Sequence, residues 1–107
     1  MLFAGLYERW HDPGEPSDAP AFATCTIITT TPSDDMDEIH DRMPVVLSID
    51  DVETWLNVRD HGPDERVMLL RPAPSGTLSH YGVDSAVGSV KNDGAELIAP
   101  VEPGSLF

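Results

Sequence analysis

The first ten residues place the strongest constraint on the fold. In extended backbone Leu2, Ala4, Leu6 and Glu8 share one face, while Phe3, Gly5 and Tyr7 share the other. A strand apolar on both faces needs cover on both sides. A natural terminus seldom begins in such a strand, and 107 residues make one small domain with a modest core. Residues 1–107 therefore read as a partial domain, cut near a domain's middle.

Beyond it the chain is punctuated into short elements. Pro13, Gly14, Pro16 and Pro20 make 11–20 a loop. Residues 21–31 form a β-branched strand. Residues 32–38 are expected to start a short acidic helix, with Asp35 and Glu38 at capping-box spacing. Met43 precedes Pro44 and favours extended backbone, so 44–47 read as a strand. Residues 48–56 predict an amphipathic helix with Ile49, Val52, Trp55 and Leu56 on one face. Pro63 opens a second short helix that runs to residue 70, and Pro72 and Pro74 end it. Short strands are expected over 77–90, a turn at Asn92-Asp93-Gly94, and a last strand over 96–101. Short strands and helices without regular alternation indicate an α+β fold.

Composition narrows the chemistry. The net charge is −13, from 19 acids against 6 bases, and Lys91 is the sole lysine. Phosphate-backbone binding rests largely on Lys and Arg, so such a chain repels nucleic acid at long range. Two explanations compete: the protein does not bind DNA, or it is built for concentrated salt, where a dense carboxylate surface keeps it soluble. The Asp-rich, Lys-poor balance favours the second, halophile-like one. There the Debye length falls to about 3 Å and remote acids hardly oppose a local basic site. Cys25 is the one cysteine, excluding an internal disulfide and a cysteine-based zinc site. Its strand setting predicts a buried structural thiol. The four histidines are too scattered for a recognised metal spacing, and neither metal nor cofactor is expected. No apolar run is long enough to span a bilayer and no secretory signal is visible, which points to the cytoplasm.

Four side chains are candidates for function. Glu8 ends an apolar strand, where burial would raise its pKa into a range useful for proton transfer; the alternative is a solvated glutamate paired with Arg9. His40 can shuttle protons near neutral pH; the alternative is a loop histidine tied to Asp41. Arg42 can hold a phosphate beside a reactive centre, or bridge to Asp41 or Asp37. Trp10, with Tyr7, can stack on a base, or serve as packing.

Several segments together resemble one known family. Gly5-Leu6-Tyr7-Glu8-Arg9-Trp10 resembles a Gly-aromatic/Leu-aromatic-Glu-x-Trp segment, and Thr24-Cys25-Thr26-Ile27-Ile28-Thr29-Thr30 the strand that follows it. Ile39-His40-Asp41-Arg42-Met43-Pro44-Val45 matches an Ile-His-x-Arg-Met-Pro motif, the most specific of the set. Residues 83–93 and Glu96-Leu97-Ile98 resemble closing segments. The order and spacing are those of the second half of the SOS-response-associated peptidase (SRAP) domain. That resemblance implies a mixed, mainly antiparallel β-sheet or barrel with short helices, here incomplete. It implies a family function of sensing abasic sites in single-stranded DNA. In the family an N-terminal cysteine attacks the ring-opened sugar, and its amine and thiol close a thiazolidine that crosslinks protein to DNA. The same cysteine underlies a proposed autopeptidase (hydrolase) activity.

By resemblance, Glu8 and His40 handle protons and position the sugar, and Arg42 holds a phosphate. The departures are equally specific. There is no Met-Cys-Gly-Arg start, the asparagine-bearing first half is absent, Gly88 stands where an asparagine is often found, and Cys25 has no free α-amine. Alone, the chain is expected to lack the crosslinking reaction. The expected partners are single-stranded DNA for the complete domain, and either a second copy, joined around residues 1–10, or a missing N-terminal half supplied in trans. The competing expectation is a non-catalytic small domain that self-associates or binds a protein.

Overall fold

A computed structural model describes residues 1–102. Three extended segments build its centre, and each is split at one residue. The first comprises β1 (Leu2–Phe3) and β2 (Gly5–Trp10), divided at Ala4. The second comprises β3 (Phe22–Ile27) and β4 (Thr29–Thr30), divided at Ile28. The third comprises β5 (Met43–Pro44) and β6 (Val46–Leu47), divided at Val45. All pairings are antiparallel: β1 with β6, β2 with β3, and β4 with β5. Each segment thus changes partner halfway along.

At the three breaks the backbone bonds close a ring. Ala4 N–H donates to the Val45 carbonyl, Val45 N–H to Ile28, and Ile28 N–H to Ala4, each at 2.9 Å. The ring satisfies backbone groups that the interrupted ladders would leave orphaned in the interior. Ala4 and Val45 are fully buried there, with Leu47 beside them and Ile28, Val52, Trp55, Leu69 and Leu70 packed around. A small side chain suits position 4, where three backbones converge.

Two short helices close one side. In α1 (Asp51–Leu56), the Ser48 hydroxyl accepts the Asp51 N–H at 3.2 Å, ahead of the first turn. In α2 (Pro63–Val67), proline takes the first position and Glu65 accepts the Gly62 N–H at 2.8 Å, half of a capping box. Val52 and Trp55 turn inward as the periodicity predicts, but Ile49 and Leu56 of the same expected face are exposed. Trp55 reaches the first segment, its indole N–H donating to the Gly5 carbonyl at 3.2 Å.

The α+β class and the antiparallel pairing follow the sequence reading, but several local expectations fail for identifiable reasons. Residues 32–38 form turns instead of a helix. The capping box there is never made, because both Asp35 carboxylate oxygens accept the Gly76 N–H at 3.0 Å and one accepts Leu78 at 3.3 Å. The strands expected over 77–90 and 96–101 are 3₁₀ turns at Ser85–Gly88 and Ala95–Ile98, joined by one bridge between Val83 and Pro100. Asp84 caps the first of them through the Ala86 N–H, and local side-chain bonding of this kind competes with a ladder. Cys25 is exposed on β3, not buried, because no layer formed by the described residues covers the β2–β3 ribbon.

That openness is general. The radius of gyration is 18.9 Å, against about 13 Å for a compact chain of this length. The accessible surface is 8700 Å², against about 5,800 Å² for a compact monomer of this mass. Leu6, Tyr7, Trp10, Phe22 and Ile27 are all exposed on the ribbon. The two-faced cover expected for residues 1–10 is not supplied by residues 1–102.

Candidate functional site

Glu8 lies in the middle of β2, opposite Thr24 of β3. The two residues, with Leu6, Tyr7, Cys25 and Thr26, line a shallow depression of about 390 Å³. Glu8 is exposed, so the burial expected of it at the end of an apolar run is absent here. Its expected alternative, a pairing with Arg9, is not formed either: among the described residues no hydrogen bond or ion pair engages the Glu8 carboxylate. Trp10 ends the strand opposite Phe22, with ring centroids 6.4 Å apart and planes at 43°. A tilted pair of this spacing is a favourable aromatic contact, and both rings keep exposed surface at the ribbon's tip.

His40 and Arg42 lie just ahead of β5. The His40 Nδ1 is 2.9 Å from Asp41 Oδ1 and 3.0 Å from the Arg42 backbone N–H. One nitrogen cannot serve both. In the neutral tautomer with the proton on Nε2, Nδ1 accepts from Arg42 and Nε2–H is left as an outward donor. In the protonated ring, Nδ1–H donates to Asp41. Both states hold the ring against its own loop, and the imidazole stays largely exposed. The expected tie to Asp41 is therefore present together with a free ring edge.

Arg42 bridges neither Asp41 nor Asp37. Its Nε and one terminal nitrogen donate to the Thr29 hydroxyl at 2.9 and 2.6 Å, and the same terminal nitrogen donates to the Thr29 carbonyl at 2.9 Å. The other terminal nitrogen has no partner among the described residues, which leaves part of the fork available to an anion.

The candidates thus fall into two groups. Glu8 and Trp10 ride on the β2–β3 ribbon, and His40 and Arg42 stand at the start of β5, on a different arm of the junction. Among the described residues no hydrogen bond or ion pair joins the groups. Thr29 and Phe22 were not singled out from the sequence. Thr29 sits in a run of threonines where nothing distinguishes it, and the loop between Trp10 and Phe22 is too long for hairpin register to be read. Among the described residues no cluster of three His, Cys, Asp or Glu is placed to hold a metal ion. Nor is any helix long and apolar enough to cross a membrane.

Comparison with known proteins fits this arrangement to a family. The family model for SOS response associated peptidase (SRAP) matches residues 1–90. The chain is 46% identical over 99 residues to the abasic site processing protein YoqW of Bacillus subtilis, covering 92% of this chain and 42% of that protein. It is 36% identical over 107 residues to the abasic site processing protein HMCES of Gallus gallus, covering 97% of this chain and 30% of that one. A crystallised protein from Bacteroides thetaiotaomicron superposes with a TM-score of 0.74 at 27% identity, covering 94% of this chain and 43% of that chain. The chain belongs to the SRAP family. It spans about two fifths of the length of YoqW.

Proposed function

We propose that this chain forms the part of an SRAP domain that holds the ring-opened sugar of an abasic site in single-stranded DNA. Glu8 and His40 handle protons, Arg42 holds a flanking phosphate, and Trp10 stacks on a neighbouring base. The observation that carries the reading is the free polar edge on each candidate: an unengaged Glu8 carboxylate, an outward ring edge on His40, and an unspent terminal nitrogen on Arg42. By itself the stretch does not perform the covalent step. A thiazolidine needs a thiol and an α-amine on one residue, and Cys25, in the middle of β3, offers only the thiol. The chain works in a cytoplasm of high ionic strength, where its charge of −13 is screened from the DNA. A second reading, association with another polypeptide without catalysis, is favoured by the excess exposed surface.

The test uses single-stranded oligonucleotides with and without one abasic site, in molar salt. Anisotropy should show tighter binding to the abasic strand, weakened at least tenfold by Arg42→Ala and several-fold by Trp10→Ala. Equal binding to both strands would overturn the reading. On a denaturing gel no crosslink should form, and a shifted band that survives Cys25→Ala would show the nucleophile to be misassigned.

A further inference from the structure

His40 Nδ1 faces two partners with opposite requirements. The Asp41 carboxylate, 2.9 Å away, only accepts, so it requires a proton on Nδ1. The Arg42 backbone N–H, 3.0 Å away, only donates, so it requires a lone pair there. In a neutral imidazole the proton that is not on Nδ1 is on Nε2. The contest at the inner nitrogen therefore decides the character of the outer one. When Arg42 prevails, Nε2–H points outward as a donor. When Asp41 prevails, Nε2 points outward with a lone pair, as an acceptor and a base.

The two partners differ in strength and in freedom. A hydrogen bond to a carboxylate is roughly twice as strong as one between neutral groups. Among the described residues the Asp41 carboxylate has no other hydrogen bond or ion pair, and its side chain is 89% exposed, so it turns to the ring without disturbing any packing. The Arg42 backbone is pinned, because its side chain is fastened to Thr29 and Met43, next in the chain, is buried. Its amide lies at the exposed surface, where water serves it when Nδ1 does not. The carboxylate is thus the stronger claimant, and the amide loses little by yielding.

We infer that Asp41 is a positioning residue for His40: its carboxylate draws the ring proton to Nδ1 and so makes Nε2 a base on the outward edge. An aspartate on Nδ1–H holds the same tautomer where histidine serves as a general base. A bound group that gives a proton to Nε2 leaves an imidazolium, with Nδ1–H still on Asp41 and the new positive charge beside the carboxylate. The proton departs again from Nε2, the neutral ring is restored, and no further reactant is consumed. Without Asp41 the Arg42 amide takes Nδ1, Nε2 carries the ring's proton, and the outward edge donates but does not accept. The contact is direct, so molar salt, which shortens the Debye length to about 3 Å, screens remote acids and leaves it in place. This role rests on the reading of His40 as a proton-handling group.

Long-range proton–nitrogen correlation spectra of the His40 ring give its tautomer ratio. They are recorded on the full chain in molar salt, at mildly alkaline pH where the ring is neutral. In the parent the Nδ1–H form should be the larger population. Asp41→Ala should lower the ratio of Nδ1–H to Nε2–H by about tenfold, as the stronger of the two bonds is withdrawn. Exchange of the Arg42 amide with water should slow several-fold in the same variant, because Nδ1 is then open to accept it. A merely structural tie would move the unfolding midpoint and leave the tautomer where it was. An unchanged ratio in Asp41→Ala would overturn the inference, as would a parent ring that carries its proton on Nε2 throughout. Neither measurement involves DNA, so failure here is separable from failure of the abasic-site reading, which the anisotropy comparison decides.

Discussion

Arg42 is fastened to Thr29 by three hydrogen bonds, two to the hydroxyl and one to the carbonyl, across thirteen positions of sequence. The contact ties the loop that carries His40 to the start of β4, and it sets the direction of the guanidinium's remaining nitrogen. Thr29→Val keeps the shape and removes the hydroxyl. It should cost about 1 kcal/mol, since exposed hydrogen bonds contribute at the modest end of their range. Thr29→Ser should restore most of that loss. Urea denaturation of both variants decides: equal midpoints for Val and the parent would mean that the bonds to the hydroxyl contribute nothing.

Met43 has a double role that its place in the motif does not advertise. It is buried to within 1% at the centre, and its sulfur receives the Ser33 N–H at 3.1 Å. Met43→Leu conserves volume but leaves that buried donor without an acceptor. Volume-conserving swaps alone usually cost below about 1.5 kcal/mol, and an unsatisfied buried donor adds about 1–3 kcal/mol. A loss of about 2 kcal/mol in chemical denaturation is expected. Ser33→Ala, which removes a buried hydroxyl that has no hydrogen-bond partner, should be neutral or slightly stabilising. A destabilised Ser33→Ala would contradict this account of the packing.

What the sequence disclosed was mostly local. Strand-like patterning over residues 1–10, 21–31 and 44–47 located the three extended segments to within a residue at each end, and Pro63 located the start of α2. The exchange of partners at Ala4, Ile28 and Val45 has no local signature, because it is decided by which segments meet. Asp35 looked like a helix cap and became a clamp on the loop at Gly76, a contact 41 residues away that spacing cannot reveal. Cys25 looked buried because its neighbours are β-branched, yet those residues face solvent on an uncovered ribbon. The candidate residues were found through motif resemblance. Their division between two arms of the junction is a tertiary fact, as is the part of Thr29 in holding Arg42.

Gly5 marks the tightest approach around the junction. A Cβ built there would lie 3.0 Å from the Thr26 carbonyl oxygen, a backbone atom with little room to yield. Gly5→Ala should therefore separate β2 from β3 locally and weaken the Trp55–Gly5 bond. A cost of about 1–2 kcal/mol is expected, in the range of overpacking strain. Trp55 fluorescence should shift to the red as the indole loses its partner and meets water. Unchanged emission together with parent-like stability would show that the ribbon absorbs the methyl group freely.

The clamp between Asp35 and the loop at 75–78 gives a pH dependence whose sign is fixed. The Gly76 N–H, then the Leu78 N–H, hold the Asp35 carboxyl below its ordinary value of 3.8, and His80 adds a smaller favourable charge. A group whose pKa falls on folding binds its proton more tightly in the unfolded chain. Its contribution to stability is complete above pH 3.8 and is lost as the pH falls through the lowered folded value. Neighbouring Asp34 accepts the Ser75 hydroxyl at 2.8 Å and belongs to the same contact. Amide exchange at Gly76 and Leu78 should be slow and level from pH 7 down to about 4 after correction for intrinsic rates, then accelerate below it. Asp35→Asn keeps one neutral acceptor and removes the charge. It should raise exchange at both amides at pH 7 and flatten their acid response, whereas Asp34→Asn should leave the response in place. An acid response that persists in Asp35→Asn would assign the clamp's pH sensitivity to another group.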